Sequence, residues 1–450
     1  MRRAAAKKLP VSTTFKKACN NSSRIRDPLS SDVTSRGGIL AGEAVGFCKH
    51  CYKLLARGSP SQGETKQMSW DPALLTELLN SAVPRLFPAA QVAIRHQGRC
   101  IYSRAAGYLD PETRCQPTTL ATGFDLASLT KLYTATACMV LVESGALQLD
   151  QPVSLLLPEF QGSRPIAPYE DPLQPGEWIA VEPEIEGELI PAEQVTVRQL
   201  LAHTAGLPAW RPLFRQPDAA SARHMALHTF FSYRPGSRVV YSDLGLILLG
   251  LALERLSGAG LDQILHAQVL RPLGLSQTRF CPGDPFHPPL ASVPCAPTEL
   301  CPWRKRRLQG QVHDENAARL GGIAGHAGLF ATAEEVAAFG ESFLTGSLLQ
   351  PQTVREMTRE QLPQPDAPHR GRERRGLGFA LRSADPLASS YPFSPSAFGH
   401  TGFTGTSLWI DPERQLVVAL LTNAVYHGRQ ENGFQAFRVV FHQAILKGLS

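Results

Sequence analysis

Residues 124–132 read Phe124-Asp125-Leu126-Ala127-Ser128-Leu129-Thr130-Lys131-Leu132. Ser128 and Lys131 are three residues apart, and on a helix this spacing places both side chains on one face, one turn from each other. A serine hydroxyl is a poor nucleophile until a neighbouring base takes its proton, and a lysine whose pKa is lowered by burial can be that base. The pattern therefore predicts a catalytic pair near the start of a helix, where the helix dipole favours an anionic oxygen.

Lys131 is one of only three lysines after residue 67, and it is the one charged residue in the run 126–142. A buried ammonium group is costly unless it has a partner or a chemical role. The structural alternative is a lysine that pairs with a carboxylate and has a serine beside it by accident. Because Ser-x-x-Lys is a short pattern, segments elsewhere in the chain decide between the two interpretations.

Two later segments carry groups of the same kind. Tyr241 follows the loop Arg234-Pro235-Gly236 and precedes an apolar helical stretch, which places it at a loop-to-helix junction. Residues 398–410 include His400-Thr401-Gly402-Phe403 and read as a glycine-rich strand, with a second strand close behind. Glycine inside a strand often marks a point where a ligand or another backbone approaches closely.

In this order, Ser128/Lys131, Tyr241/Asp243 and His400/Thr401/Gly402 resemble the motifs Ser-x-x-Lys, Tyr-x-Asn and Lys-Thr-Gly of the β-lactamase and penicillin-binding superfamily of serine hydrolases. The chain is most similar to the class C β-lactamase-like branch, which includes D,D-peptidases and family VIII-type carboxylesterases. Residues 195–208 and 321–333 resemble two scaffold segments of that family. The resemblance covers about residues 70–450.

The resemblance implies an α/β (α+β) fold of the β-lactamase/transpeptidase type, with a mostly antiparallel sheet flanked by helices and an inserted helical lobe. It also implies hydrolysis through an acyl-enzyme on Ser128, with Lys131 and Tyr241 moving the proton, and it leaves open which of the two is the formal base. By resemblance, the backbone N–H groups of Ser128 and Phe403 form the oxyanion hole. The residues expected to bind substrate are Asp243, His400, Thr401 and Gly402. No cofactor is expected.

Two departures from the family motifs bear on the substrate. His400 stands where lysine is expected, and a histidine is mostly neutral at pH 7. Asp243 stands where asparagine is common, and an ionised carboxylate repels anions. Both changes favour neutral acyl groups, unless Asp243 forms a salt bridge with Lys131 and leaves the charge preference unaffected.

The sequence therefore favours an esterase or amidase acting on a small-molecule ester, amide or β-lactam-like substrate. The alternatives are a β-lactamase or D,D-peptidase, and a catalytically silent binding protein on the same fold. Loss of Ser128, Lys131 or Tyr241 would mark the silent protein, and all three are present. The motifs do not define the acyl group or the oligomeric state, because this superfamily reuses one site for many reactions.

Residues 1–67 differ from the rest of the chain, with thirteen Lys and Arg against four Asp and Glu. We predict a disordered basic extension over 1–67 and a hydrolase domain over 68–450; a targeting segment, or a true start at Met68, is the alternative. The remainder is close to neutral and has no footprint for nucleic acid. Its longest uncharged apolar run, 244–253, is too short to span a membrane. Without a signal-peptide pattern, a cytoplasmic location is expected.

The chain contains nine cysteines, an odd number that does not suggest a disulfide framework. Cys48 and Cys51 form a lone C-x-x-C without a second pair at zinc-finger spacing, and Cys295 and Cys301 could complete a site only by coincidence of the fold. The run His313-Asp314-Glu315-Asn316 invites a metal interpretation, but adjacent loop residues more often form local hydrogen bonds. No metal site is predicted.

Local patterns also predict the order of elements. The acidic, proline-rich segment 161–194 reads as an inserted surface loop that could border the cleft, 196–280 as mostly helical, and 304–307 and 369–375 as solvated basic loops. The predicted helices are 70–87, the nucleophile helix ending near residue 144, and 434–447; the predicted strands are 90–96, 99–108, 377–382, 398–410 and 415–423.

Overall fold

The central element of this computed structural model is a six-stranded antiparallel sheet in which strands from both ends of the chain meet. The structure describes residues 71–174, 176–287, 293–363, 373–430 and 432–449, so the predictions for residues 1–67, including Cys48 and Cys51, lie outside it. In spatial order the strands are Ala380–Leu381, Phe398–Thr401, Ser407–Asp411, Leu416–Thr422, Ala89–His96 and Arg99–Gly107. The predicted antiparallel sheet is confirmed.

Alternation along the strands gives the sheet two buried faces. Val92 and Ile94 point to one face, where the helices Pro72–Ala82 and Phe434–Lys447 cover them. Ala93 belongs to the core on the other face, which is covered by helices that include Ala333–Thr345. Side chains on a strand alternate between faces, so a strand that is buried on both sides is mostly apolar. Leu416–Thr422 is buried along its whole length and is apolar up to its last residue, Thr422.

The helical lobe and the nucleophile helix pack into the larger core on the second face of the sheet. Besides the three helices already named, the described residues form the following helices: Thr130–Glu143, Val197–Leu201, Ala219–Leu227, Asp243–Ser257, Leu261–Leu265 with its π-helical continuation His266–Leu270, Glu315–Arg319 and Pro351–Thr358. The single-turn 3₁₀ helices are Ala127–Leu129, Val153–Leu155, Ala192–Gln194, Leu213–Arg215 and Ala424–His427.

Small sheets complete the fold. Phe124–Asp125, Leu329–Ala331 and Arg279–Phe280 form a three-stranded sheet beside the nucleophile helix. The strand pairs are Ser163–Pro165 with Leu189–Pro191, Tyr169–Glu170 with Trp178–Ile179, and Leu300–Cys301 with Arg306–Arg307. Two of these pairs therefore give the segment 161–194 some regular structure.

Several predicted boundaries are wrong. The first helix ends at Ala82 rather than at residue 87, because Pro84 disfavours a helical conformation at the residue before it. The predicted strand 398–410 is two strands joined by a tight turn, in which Gly405 has a φ of +108°. The segment 377–382 contributes only Ala380–Leu381 to the sheet, and long loops interrupt the region 196–280. The C-terminal helix has its predicted bounds.

The prediction that 304–307 and 369–375 are solvated basic loops is wrong for Arg304 and Arg375, whereas Lys305, Arg307 and Glu373 are exposed. Arg304 is buried, and its guanidinium donates hydrogen bonds to the main-chain oxygens of Val312 and His313. Arg307 donates to main-chain oxygens as well. Arg375 is buried next to His400. A run of basic residues is usually solvated, but here the folded chain provides hydrogen-bond acceptors for the guanidinium groups of Arg304, Arg307 and Arg375.

Among the residues described, no single helix is long and apolar enough to cross a membrane. One pair, Asp243–Ser257 with Leu261–Leu270, has the length and apolar content but bends by 82° between its two parts.

Candidate active site

Ser128 lies in the 3₁₀ turn Ala127–Leu129, directly before the nucleophile helix Thr130–Glu143. The preceding residue, Ala127, has a φ of +47°, a left-handed conformation that is uncommon for alanine. The buried carboxylate of Asp125 accepts a hydrogen bond from Ala127 N at 2.8 Å. This bond holds the strained turn and therefore fixes the direction in which Ser128 points.

The structure brings the three predicted catalytic side chains together. Lys131 Nζ lies 2.9 Å from Ser128 Oγ, and Tyr241 Oη lies 2.7 Å from the same oxygen. Tyr241 comes just before Ser242, which caps the N-terminus of the helix Asp243–Ser257, so the residue is at the loop-to-helix junction that the sequence predicts. Ser128 thus has two possible proton partners at hydrogen-bonding distance.

Lys131 is fully buried, and oxygen atoms surround its ammonium group. Besides Ser128 Oγ and Tyr241 Oη, they include the Asp243 carboxylate at 2.7 Å and the main-chain oxygen of His326 at 3.0 Å. Burial works to lower the pKa of Lys131, but the neighbouring Asp243 and Tyr241 outweigh it and leave that pKa raised. The side chain is therefore an ammonium group that donates hydrogen bonds to Ser128 Oγ and His326 O and forms an ion pair with Asp243.

Asp243 was expected either to contact substrate or to pair with Lys131, and the structure has the second arrangement. Its carboxylate is 2.7 Å from Lys131 Nζ, and Asp243 is not among the residues that line the cleft. The direct contact of Asp243 with substrate stays a prediction. The negative charge of Asp243 is used to hold Lys131 in its protonated form.

His400 is neutral, as the sequence suggests. Its Nδ1 lies 2.7 Å from Thr401 O, which can only accept, and its Nε2 lies 2.8 Å from Arg375 Nη1, which can only donate. The ring therefore carries its proton on Nδ1. Burial, together with the positive charges of Arg375 and Lys131, lowers the pKa of His400 well below its usual value.

The cleft nevertheless has a cation at this position, supplied by Arg375. Its guanidinium lies over the Tyr241 ring, 4.8 Å from the centroid, and lines the same cleft as Ser128. The argument from position 400 did not include this charge, so the preference for neutral acyl groups stays a prediction. No spacing rule could have linked Arg375 to His400, because they are 25 residues apart and on different elements.

The cleft has a volume of about 430 Å³. Two more arginines line it near the C-terminal helix: Arg429, which pairs with Glu299 and Glu315, and Arg438, which has no carboxylate partner in the described part of the chain. Burial lowers the pKa of Arg438 to about 10, so the group remains charged at neutral pH. No described residue of the segment 161–194 lines the cleft.

The turn after His400 packs against the nucleophile turn. Gly402 has no room for a side chain, because a Cβ atom there would lie 2.1 Å from Thr406 Oγ1 and 2.6 Å from Leu126 O. Thr404 and Thr406 donate side-chain hydrogen bonds to the main-chain oxygens of Asp125 and Leu126. Thr401, Gly402 and Phe403 therefore line the cleft beside Ser128, where the resemblance expects the oxyanion hole and a substrate contact.

Residues 313–316 support the loops around Lys131 through hydrogen bonds. The main-chain N–H of His313 donates to Asp125 at 2.6 Å, and the Asp314 carboxylate accepts from Ala317 N at 2.7 Å. His326 Nε2 lies 2.9 Å from the same Asp314 oxygen, and the main-chain oxygen of His326 accepts from Lys131. Asp314 thus anchors the loop whose carbonyl group orients Lys131, which the sequence alone did not indicate.

Two acidic clusters in the described residues have ligand-like spacing, but cations from the protein already occupy them. Asp243, Asp314 and His326 place ligand atoms within 4.8 Å of one another, and the Lys131 ammonium is bonded to Asp243 in that group. Glu299, Cys301 and Glu315 form the second cluster, where Arg429 pairs with both carboxylates. Neither cluster gives grounds to propose a metal.

We expect Asp314→Ala to lower the acylation rate roughly ten- to hundredfold, because a hydrogen bond to a charged group is worth about 1.5–3 kcal/mol and 1.4 kcal/mol corresponds to tenfold. Asp314→Asn keeps an oxygen that accepts from both Ala317 and His326, so its rate should stay within about threefold of the parent. Single-turnover kinetics with an ester substrate measure both. Equal losses in the two variants, or a change in KM alone, would contradict this role.

Comparison with known proteins gives a consistent result. A family model described as Beta-lactamase matches residues 82–440. A putative D-alanyl-D-alanine carboxypeptidase of Salmonella agona (strain SL483) is 29% identical over 412 residues, which cover 83% of this chain and 86% of the relative. A protein of Escherichia coli (strain K12) with the same name is 29% identical over 373 residues, covering 75% of this chain and 78% of the relative.

Among solved structures, the fold is similar to that of EstCE1, described as a hydrolase with promiscuous acyltransferase activity. The TM-score is 0.62 with 24% sequence identity, and the match covers 82% of this chain and 97% of EstCE1. This likeness concerns the fold.

Proposed function

This chain belongs to the beta-lactamase family, and from this premise we propose that it cleaves ester or amide bonds in small substrates that carry a carboxylate near the scissile bond. The resemblance drawn from the three motifs is confirmed, and the protein is a serine hydrolase of the β-lactamase and penicillin-binding superfamily. The family acts on small amide, ester or peptide substrates. β-Lactam-like compounds fall within the proposed class.

The proposed preference for substrates with a carboxylate rests on one observation. The Arg375 guanidinium lines the cleft, where it contacts both His400 and the Tyr241 ring. An arginine at the edge of a partly desolvated cleft binds carboxylates through charge-assisted hydrogen bonds. Arg438, which has no carboxylate partner among the described residues, lines the same cleft and adds to the attraction. The curated relatives are named putative D-alanyl-D-alanine carboxypeptidases, and a peptide substrate of that kind ends in a carboxylate.

In the proposed reaction, Ser128 Oγ attacks the carbonyl carbon and passes its proton to Tyr241 Oη. Tyr241 at the same time gives its own hydroxyl proton to the leaving nitrogen or oxygen. Lys131 donates to Ser128 Oγ throughout and stabilises the developing negative charge. This concerted relay needs neither a free phenolate nor a neutral amine, which fits the raised pKa values of both Tyr241 and Lys131. Water then attacks the acyl-enzyme, and the relay runs in reverse.

The test compares a carboxylate-terminated ester with its methyl-ester analogue. We expect Arg375→Gln to lower kcat/KM for the carboxylate substrate roughly ten- to hundredfold, the equivalent of one hydrogen bond to a charged group. The methyl ester should change by less than about threefold. Arg255→Gln, which removes an exposed arginine that pairs with Glu159, is the matched control. Equal losses on both substrates would overturn the charge preference.

A second candidate function is hydrolysis of esters with neutral acyl groups. The neutral state of His400 favours it, as does the side chain of Phe403, which is 45% exposed where it lines the cleft. In that case the methyl ester should be the better substrate of the unmodified protein, and Arg375→Gln should leave the ratio of the two kcat/KM values unchanged.

A further inference from the structure

We propose that Glu373 is an internal competitor for the carboxylate site on Arg375, and that it sets the preference between anionic and neutral substrates. This inference rests on the proposed function, because it concerns the same guanidinium. Glu373 Oε1 accepts a hydrogen bond from Arg375 Nη2, and both residues line the cleft that contains Ser128. A carboxylate of the protein thus lies where a substrate carboxylate is expected.

The two partners differ in their freedom to move. The Arg375 side chain is 6% exposed, whereas the Glu373 side chain is 43% exposed. Arg375 is also held in place, since Nη1 donates to His400 and the guanidinium lies over Tyr241. Displacement would therefore leave the guanidinium where it is and release only the glutamate into solvent.

The Glu373 contact also has the weaker of the two geometries that arginine and carboxylate adopt. Elsewhere in the protein, Arg215 and Glu170 form a bidentate pair with distances of 2.8 and 2.7 Å. Glu373 bonds to one nitrogen of Arg375, and Arg375 Nε has no acceptor in the described part of the chain. Bidentate pairs add energy and fix orientation, so a one-point contact to an exposed glutamate is easier to replace.

Glu373 therefore affects the two substrate classes differently. A neutral substrate can bind while the Glu373–Arg375 ion pair is intact. Because the two charges of this pair balance each other, it neither attracts nor repels a neutral substrate. An anionic substrate must displace Glu373 and is repelled by it until it does. Because the Glu373 side of this ion pair is open to solvent, the pair corresponds to a factor of up to about five in an equilibrium constant.

The test is Glu373→Gln, assayed with the carboxylate-terminated ester and its methyl ester. We expect KM for the carboxylate substrate to fall about three- to fivefold with kcat unchanged, while both constants for the methyl ester stay the same. Acetate should also become a correspondingly stronger competitive inhibitor of methyl-ester hydrolysis. Glu182→Gln is the matched control, because Glu182 forms an exposed pair with Arg238 and does not line the cleft.

Unchanged KM values for the carboxylate ester and for acetate inhibition would overturn the inference, as would an equal change for both esters. The Arg375→Gln variant separates this failure from failure of the proposed function. If Arg375→Gln lowers kcat/KM only for the carboxylate substrate and Glu373→Gln has no effect, then Arg375 binds the substrate carboxylate but Glu373 does not compete with it. If neither substitution distinguishes the two esters, both proposals fail.

Discussion

Ser128→Ala is expected to abolish the acyl-enzyme and to lower kcat/KM by roughly four to six orders of magnitude, as removal of the nucleophile does in other serine hydrolases. The reason is geometric: Ser128 Oγ is the atom on which Lys131 and Tyr241 converge, and no covalent step is possible without it. Labelling with a fluorophosphonate or a penicillin-type probe, followed by peptide mass mapping, should give one modified serine in the parent and none in the variant.

Ser144→Ala is the control for this experiment. Ser144 follows the last residue of the same helix and is exposed, and its hydroxyl donates to the main-chain oxygen of Leu141. It should label and turn over like the parent, and thermal unfolding should show that Ser128→Ala remains folded. A label on any serine other than Ser128 would show that the catalytic assignment is wrong.

The features that the sequence predicted well are local ones. The spacing of Ser128 and Lys131 places them in contact because a helix turn fixes their separation. Tyr241 could be placed before a helix because an apolar helical stretch follows it. In the structure, Ser242 caps that helix, and its side chain accepts from Gly245 N. The bounds predicted for the C-terminal helix, 434–447, agree with those in the structure.

The features that it missed depend on contacts between distant segments. Arg375 belongs to a basic run, and such runs are normally solvated, yet the fold places its guanidinium on the imidazole of His400. Asp314 and His326 are 12 residues apart, and their bond matters only because the His326 carbonyl meets Lys131, which is 195 residues away. The substrate argument was incomplete for the same reason, since it counted the charge at position 400 and could not include the charge of Arg375 from another loop.

Lys131→Met is expected to have the second largest effect, on both activity and stability. Removing the group that donates to Ser128 should lower kcat/KM by about 10²- to 10⁴-fold. The variant also leaves the Asp243 carboxylate without its partner, and breaking a buried ion pair from one side costs about 3 kcal/mol or more. Urea unfolding and steady-state kinetics at pH 7 measure the two losses separately.

The pH dependence of this stabilisation has a definite sign. The pKa of Lys131 is raised in the folded protein, because Asp243 and Tyr241 outweigh the effect of burial. A raised pKa means that the stabilisation is complete below the ordinary lysine pKa and is lost only as the pH rises through the higher value in the folded state. The difference in unfolding free energy between the parent and Lys131→Met should therefore be constant across neutral pH and decrease in strongly alkaline solution.

The double variant Lys131→Met/Asp243→Asn distinguishes the structural role of the pair from its catalytic role. Asparagine has no charge to leave unpaired, so the double variant should recover most of the stability lost in Lys131→Met. Activity should not recover, because the ammonium that donates to Ser128 is still missing. If the double variant regains activity, Lys131 acts only by neutralising Asp243; if it regains no stability, the 2.7 Å contact between the two side chains contributes little to the fold.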